Sequence, residues 1–268
     1  SINSVRYTGA IPVLVDVDNK SWNINTVELV KKITNKTKAI IADHLYGTPS
    51  DMNKIMAIAR QHNLLVIEDA AEAHGAEIKI GSSWKKVGSI GTLGCFSFYG
   101  NKIITTGEGG MVVTDNKTLA EKLKMLRDHG QHPHKSYYHP IIGYNYRMTN
   151  LQAAIGVAQL ERFEKLINFK VNIAAQYLKH LKNIPGIIFP QVLYKVKPVC
   201  WLFSLIIDKP YPLSRNQLIN KLKNNHVESR PFFYPLHQQP PYKSQNLYPH
   251  ATYLSSHGIS LPSGYNLT

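Results

Sequence analysis

Only two cysteines, Cys95 and Cys200, occur among the 268 residues. They lie far apart and outside any metal-ligand spacing, so neither a disulfide framework nor a structural metal site has support, and two reduced thiols are expected. Long hydrophobic runs are missing as well. No stretch of about 18 apolar residues is available to span a bilayer. The opening Ser1-Ile2-Asn3-Ser4-Val5-Arg6 lacks the apolar core of a secretory signal. The cytoplasm is therefore the expected compartment, with no membrane partner. Acidic residues are scarce too, 17 against 31 lysines and arginines, for a formal net charge of +14. That imbalance invites a nucleic-acid reading, but the lysines are spread along the chain without a dense basic tract interleaved with aromatics, so no nucleic acid is expected as partner. The charge suits a small polyanion such as a nucleoside diphosphate.

What is present is an ordinary globular composition, 43% hydrophobic, enough to bury one large domain and a smaller one. No internal repeat or low-complexity tract interrupts it. Short apolar runs alternate with helical patterns: Ile11 to Val17 before Val27 to Ile33, Ala39 to Ala42 before Met52 to Gln61, then Leu64 to Ile67. Such alternation is how buried parallel strands of a doubly wound sheet read, so the fold class is α/β. A Gly-punctuated stretch from Gly81 to Gly110 offers two more strands, Leu93 to Phe98 and Gly110 to Thr114, followed by a helix over about Thr118 to Asp128.

Thr149-Asn150 opens a long amphipathic segment to about Lys182, with Leu151, Ile155, Ala158, Leu160 and Phe163 at helical spacing. Beyond it, Cys200 to Ile207 reads as a strand, Arg215 to Asn224 as a helix and Pro231 to Pro241 as a Pro-rich connection. The expected division is a large domain over 1–150, a bridging helix over 151–182 and a small α/β domain over 183–268. Asn266-Leu267-Thr268 reads as a helix start with no helix after it, and the chain opens as if inside a domain, so it is expected to be a piece of a longer one.

Chemistry concentrates in a few segments. In Val66-Ile67-Glu68-Asp69-Ala70-Ala71 an apolar strand delivers a carboxylate at its C-terminal end, the edge where open α/β sheets bind ligands. Asp69 there can pair with a protonated ring nitrogen, or simply cap the short helix expected to follow. Lys102 sits at the junction between the strand ending near Phe98 and the turn-rich Thr105-Thr106-Gly107-Glu108-Gly109-Gly110. An amine placed between apolar strands is desolvated and becomes a Schiff-base nucleophile, whereas a lysine met at random is a solvated surface charge. Ser97 offers a hydroxyl to a phosphate or to its own backbone. Gly143 through Asn150 places an amide and a guanidinium before a helix, and by itself reads as a turn with an N-cap. His129, His132, His134 and His139 lack the spacing and the carboxylates of a metal site, so no metal is expected.

Taken together, Asp43-His44-Leu45-Tyr46-Gly47, Glu68 through Ala76, Ser97 through Gly110 and Gly143 through Asn150 resemble the sugar aminotransferases of the DegT/DnrJ/EryC1/StrS family. The resemblance covers nearly the whole chain. It implies a fold type I enzyme dependent on pyridoxal 5'-phosphate (PLP), with a mostly parallel sheet flanked by helices and a smaller C-terminal α/β domain. Ser-Phe-Tyr-Gly-Asn-Lys followed by Thr-Thr-Gly-Glu-Gly-Gly is most similar to the branch of GDP-perosamine synthases and related 4-aminotransferases.

By that resemblance Lys102 carries the cofactor as a Schiff base and shuttles the proton, Asp69 pairs with the pyridine nitrogen and Ser97 bonds the phosphate. Glu72 stands near the ring oxygen where Gln is commoner. Asn145 reaches the neighbouring subunit's site, which implies a homodimer with shared active sites. The His-rich loop lies near the sugar nucleotide, and Arg230 and His237 match a segment facing the substrate. The implied reaction is transamination of a nucleoside-diphosphate 4-keto-6-deoxyhexose, with glutamate as donor. GDP, UDP and dTDP carriers all stay open. Relatives that dehydrate the sugar carry His in place of the Schiff-base Lys, and this chain keeps Lys. The rival expectation is a non-catalytic protein of the same fold that regulates or binds a ligand.

Overall fold

The computed structural model describes residues 1–265 and 267, so the expected helix start at Asn266-Leu267-Thr268 lies essentially outside the described residues. Helix α1 (Ile2–Tyr7) opens the chain. The run Ile11 to Val17, expected as a strand, does not join a sheet. Only Val17 makes a bridge, to Ile24, and Ile11 and Val13 face solvent. An apolar run becomes a strand only where another segment receives its backbone groups, and here residues 23–25 do so only at the end of the run.

Helix α2 (Thr26–Lys32) starts at Asn25, whose side chain accepts the Val27 and Glu28 N–H groups. Strand β1 (Ala39–Asp43), helix α3 (Met52–Gln61) and strand β2 (Leu65–Asp69) follow. A hairpin of β3 (Glu77–Ile80) and β4 (Ser83–Lys86) comes next. Its lysines and exposed faces hide the apolar alternation by which strands are read. Then come β5 (Leu93–Ser97), β6 (Gly110–Val113) and α4 (Lys117–Arg127). The central sheet has the order β1-β2-β5-β6. Its first three strands are parallel and β6 is antiparallel to β5.

The expected bridging helix is two helices, α5 (Asn150–Glu161) and α6 (Phe163–Leu181). Thr149 and Gln152 form a reciprocal capping box at the start of α5. The break falls at Arg162, where the chain passes from a helix with no buried residue to one that packs. Phe163 and Ile167 lie against Gly75, and Ala174 enters the core. Among the described residues, no helix is long and apolar enough to cross a membrane.

The remaining elements are β7 (Ile187–Ile188), β8 (Val196–Lys197), β9 (Phe203–Ile207), α7 (Arg215–Asn224), β10 (Arg230–Pro231), α8 (Pro249–His257) and β11 (Gly258–Leu261). They build a second sheet of order β10-β11-β9-β7, while β8 crosses back to pair with β3. Strand β9 is buried on both sides. Phe203, Leu205 and Ile207 pack with Ala174 and Ile259, and Ile206 joins the main core of Val66, Met52 and Trp201. The stretch 183–268 therefore shares a core with the first 150 residues.

Candidate active site

Side-chain alternation at the ends of β1 and β2 sorts four acidic and imidazole groups onto two faces. In the parallel register Ala42 lies opposite Glu68 and Asp43 opposite Asp69. Glu68 points inward and is fully buried. It accepts the N–H groups of Gly88 at 2.8 Å and of Ile90 and Gly91 at 2.6 Å each. His44 Nδ1 accepts the Ser50 N–H at 3.0 Å, so its proton resides on Nε2 and is donated to Glu68 at 3.1 Å. Burial raises the Glu68 pKa, but His44 and these backbone donors outweigh it and hold the group below its ordinary value.

Asp43 and Asp69 take the opposite face. The Ser1 hydroxyl lies between them, 2.8 Å from Asp43 Oδ1 and 2.6 Å from Asp69 Oδ2. Asp69 Oδ1 also accepts the Ala71 N–H at 3.1 Å, so it caps a turn where a short helix was expected, and Oδ2 faces the recess beside Ser1. Crowding by surrounding protein, then the charge of Asp69, push Asp43 up to about 6. Water still reaches this carboxyl, so the crowding acts more weakly than in a dry core.

Lys102 enters the same recess from the turn after β5, anchored by its N–H to the Tyr99 carbonyl at 3.0 Å. Its side chain is 11% exposed, and Nζ lies 3.6 Å from Glu72 Oε1. The amine also rests 3.9 Å from the centroid of the Trp201 ring. Burial lowers the Lys102 pKa, and Glu72 and then Asp69 pull it only part of the way back. Burial raises Glu72, with Lys102 and the Tyr46 N–H opposing. That N–H reaches Glu72 Oε2 at 2.9 Å from a left-handed backbone, φ 53° at Tyr46. Amine and carboxylates thus share one electrostatic neighbourhood. Two cavities of about 330 and 390 Å³ lie elsewhere, near Arg6 and Tyr242 and near Trp22 and His250. The candidate site is an open recess defined by its chemistry.

Ser97 ends β5, and its oxygen accepts the Tyr99 N–H at 3.3 Å, so both expected uses coexist: the backbone bond is made and the hydroxyl proton stays available. His74 is buried against Phe96 and Phe98 with neither ring nitrogen hydrogen-bonded. Burial, then the charge of Lys102, depress it to about 4. Asn145 is exposed and bridges to Asp128 through the backbone. Arg230 is exposed on β10, and His237 packs on Tyr248 with ring centroids 4.7 Å apart. Among the described residues, no hydrogen bond or ion pair joins Asn145, Arg230 or His237 to the Lys102 group. Asp43, Tyr46 and Trp201 were not expected to touch the site. Tyr46 lies inside a quoted motif, but Trp201 stands 99 positions after Lys102 and no local signal marks it.

A desolvated amine flanked by carboxylates at the C-terminal edge of parallel strands defines an α/β enzyme whose lysine handles carbonyl groups. All 268 residues match one family, and the chain belongs to the DegT/DnrJ/EryC1/StrS aminotransferase family. It is 45% identical over 267 residues to a GDP-perosamine synthase of Escherichia coli O157:H7, covering 98% of this chain and 70% of that protein. It is 46% identical over 243 residues to a GDP-perosamine synthase of Caulobacter vibrioides, covering 90% of this chain and 64% of that one. The solved structure of DesV from S. venezuelae superposes with a TM-score of 0.91 at 32% identity, covering 99% of this chain and 70% of that one.

The cofactor of these aminotransferases is PLP, and the donor set here fits it. A poorly solvated amine can take the aldehyde, a carboxylate oxygen at the strand edge can face the ring nitrogen, and a strand-end hydroxyl can donate to the phosphate.

Proposed function

We propose that this chain aminates the keto carbon of a nucleoside-diphosphate 4-keto-6-deoxyhexose, with glutamate as donor, giving a 4-amino-4,6-dideoxy sugar of the perosamine or viosamine type. The observation that carries the reading is the amine of Lys102, 11% exposed and 3.6 Å from Glu72, with Asp69 close enough to influence its charge. Two relatives at 45% and 46% identity bearing the name GDP-perosamine synthase support the substrate class.

Bound PLP supplies an electron sink and carries the amino group between donor and acceptor. The chain's residues do the rest. Lys102 would hold the cofactor and would accept and return a proton at Nζ. Burial lowers its pKa, which favours the neutral amine that both steps need. Asp69 would keep the ring nitrogen protonated through Oδ2, the oxygen that the Ser1 hydroxyl contacts at 2.6 Å, and Glu72 restrains the Lys102 charge while its second oxygen is tied to Tyr46. Ser97 donates to the phosphate. Arg230 and His237 serve the sugar nucleotide only after a rearrangement or in the assembled enzyme.

Asn145 serves the site of a second copy. Supporting this, α5 leaves Leu151 81%, Val157 57% and Leu160 54% exposed, six to fifteen positions beyond Asn145, and Tyr146 beside it is 73% exposed. The same reading places the enzyme in the cytoplasm, where its two unpaired thiols stay reduced.

In purified protein, Lys102→Ala is expected to abolish the visible absorbance of lysine-bound PLP together with turnover. Unchanged absorbance would remove Lys102 from the mechanism. Mass spectrometry of products from a panel of GDP-, UDP- and dTDP-linked 4-keto-6-deoxyhexoses with glutamate decides the substrate, and no aminated product from any of them refutes the reading. Mixing Lys102→Ala with Asn145→Ala protomers is expected to restore about a quarter of wild-type activity through hybrid dimers with one intact site. No recovery argues against shared sites.

A further inference from the structure

We propose that Trp201 is a positioning residue for Lys102, its indole face fixing where the amine rests and its ring N–H fixing the backbone beside it. The proposal rests on the reading of Lys102 as the cofactor-bearing amine. Trp201 touches the lysine's setting at both ends. Nζ lies 3.9 Å from the ring centroid. The indole N–H donates to the Asn101 carbonyl at 2.8 Å, in the peptide directly preceding Lys102.

Trp201 is itself held from several directions. Its carbonyl accepts from the buried Lys170 ammonium at 3.1 Å, and that ammonium also donates to the Ser263 carbonyl at 2.5 Å. Tyr46 lies parallel to the ring, centroids 6.5 Å apart at 18°. Two residues before the tryptophan, the Val199 N–H bonds the Gly47 carbonyl at 3.0 Å. This approach requires glycine: Gly47 has φ +89°, and a Cβ there would stand 2.8 Å from the Trp201 backbone nitrogen. With the ring 4% exposed, it cannot swing away without disturbing the core.

The groups that face the amine are Glu72 and His74 from the turn after β2, Asp69 from the strand end and the Trp201 ring from the segment before β9. An indole is the strongest side-chain π surface for a cation. It therefore favours the ammonium form, as Glu72 does, against the burial that disfavours it. It also removes rotamers from a side chain with four rotatable bonds, so the amine is found where a carbonyl would meet it.

The test uses the full chain freed of cofactor. Lysines are dimethylated with 13C-formaldehyde, and the Lys102 resonance, identified by its absence in Lys102→Arg, is titrated by NMR. Unmodified samples are timed separately for PLP capture by absorbance. Trp201→Leu is expected to lower the amine pKa by about one unit and to slow capture roughly tenfold at a pH where both amines are neutral. Trp201→Phe, which keeps a ring but loses the N–H, is expected to hold the pKa within about 0.5 unit while capture slows severalfold.

An unchanged pKa or an unchanged capture rate in folded Trp201→Leu overturns the proposal. Should melting show that Trp201→Leu does not fold, Trp201→Phe decides, and wild-type capture in it overturns the proposal. Borohydride trapping and peptide mapping of wild type keep the two ideas apart. PLP trapped on another lysine refutes the cofactor assignment, whereas PLP on Lys102 with no effect of Trp201 refutes only this inference.

Discussion

The two faces of the central sheet end in acids of opposite fate, although they are neighbours in sequence. Glu68 turns inward, meets four donors and is held ionised at zero exposure. Asp69, one residue later, turns outward beside Asp43 and keeps one oxygen free of backbone bonds. The inner face is packed by Ile40, Ala42 and Val66, whereas the outer face carries Leu65 at 56% exposure. A strand that alternates sides can thus anchor a fold and furnish a site within two residues. The anchor is what makes the furnishing accurate, because Glu68 pins the Gly88–Gly91 turn that leads into β5.

The strongest way to break this comparison is Glu68→Ala, which strands the His44 N–H and three backbone donors inside the core. It is expected to cost about 3–5 kcal/mol, as for removal of one partner from a buried charged pair, read from urea denaturation. The sign with pH follows from the depressed Glu68 pKa. Its stabilisation is fully present above the ordinary carboxylate value of 4.5 and is lost as pH falls through the lower folded value. Wild type and variant should therefore converge in stability only in acid. A variant as stable as wild type at pH 7 would mean that Glu68 anchors nothing.

Asp69→Asn sharpens the contrast from the other face. If Asp69 pairs with the ring nitrogen as proposed, losing its carboxylate is expected to reduce kcat on the order of a hundredfold. Stability should stay within about 1 kcal/mol, since Asn can still accept the Ala71 N–H. Equal losses of stability and turnover would show that both acids are structural.

How legible these faces are in the sequence depends on how local the cause is. Helices α3 and α7 run over the expected Met52–Gln61 and Arg215–Asn224, because Asp51 and Ser214 cap them within one turn. Strands β1, β2, β5 and β6 are likewise marked by their own apolar runs. The Ile11 to Val17 run and the polar β3–β4 hairpin depend on what lies beside them, which periodicity does not report. The same division holds in the site. Asp69, Glu72 and Lys102 belong to two quoted motifs and the structure draws them together, but Trp201 arrives through a crossover that only the fold reveals. The split at Arg162 is also tertiary, set where Phe163 finds Gly75.

A smaller effect separates the amine from its restraining carboxylate. Glu72→Gln removes a negative charge 3.6 Å from Nζ, so burial should lower the Lys102 pKa further, by about one unit. The pH dependence of PLP capture is then expected to move toward acid by that amount. A shift toward alkali would mean that Glu72 does not favour the ammonium.

Asp43→Asn should produce the smallest change and the most informative one, because it tests whether the outer face is strained by like charge. A carboxyl raised to about 6 in the folded chain binds its proton more tightly there than when unfolded. Folding is therefore favoured by the protonated form, and wild type loses that advantage as pH climbs from the unfolded value of 3.8 through about 6. The Asn variant cannot ionise beside Asp69 and escapes the loss. Its stability relative to wild type should rise across that interval and then stay level, by about 1 kcal/mol or less, because water reaches Asp43 and screens the repulsion. Melting curves at pH 4 and pH 7 measure the difference directly. If the gap is the same at both, the two outward carboxylates do not repel, and the Ser1 hydroxyl between them is a spacer with no proton to share.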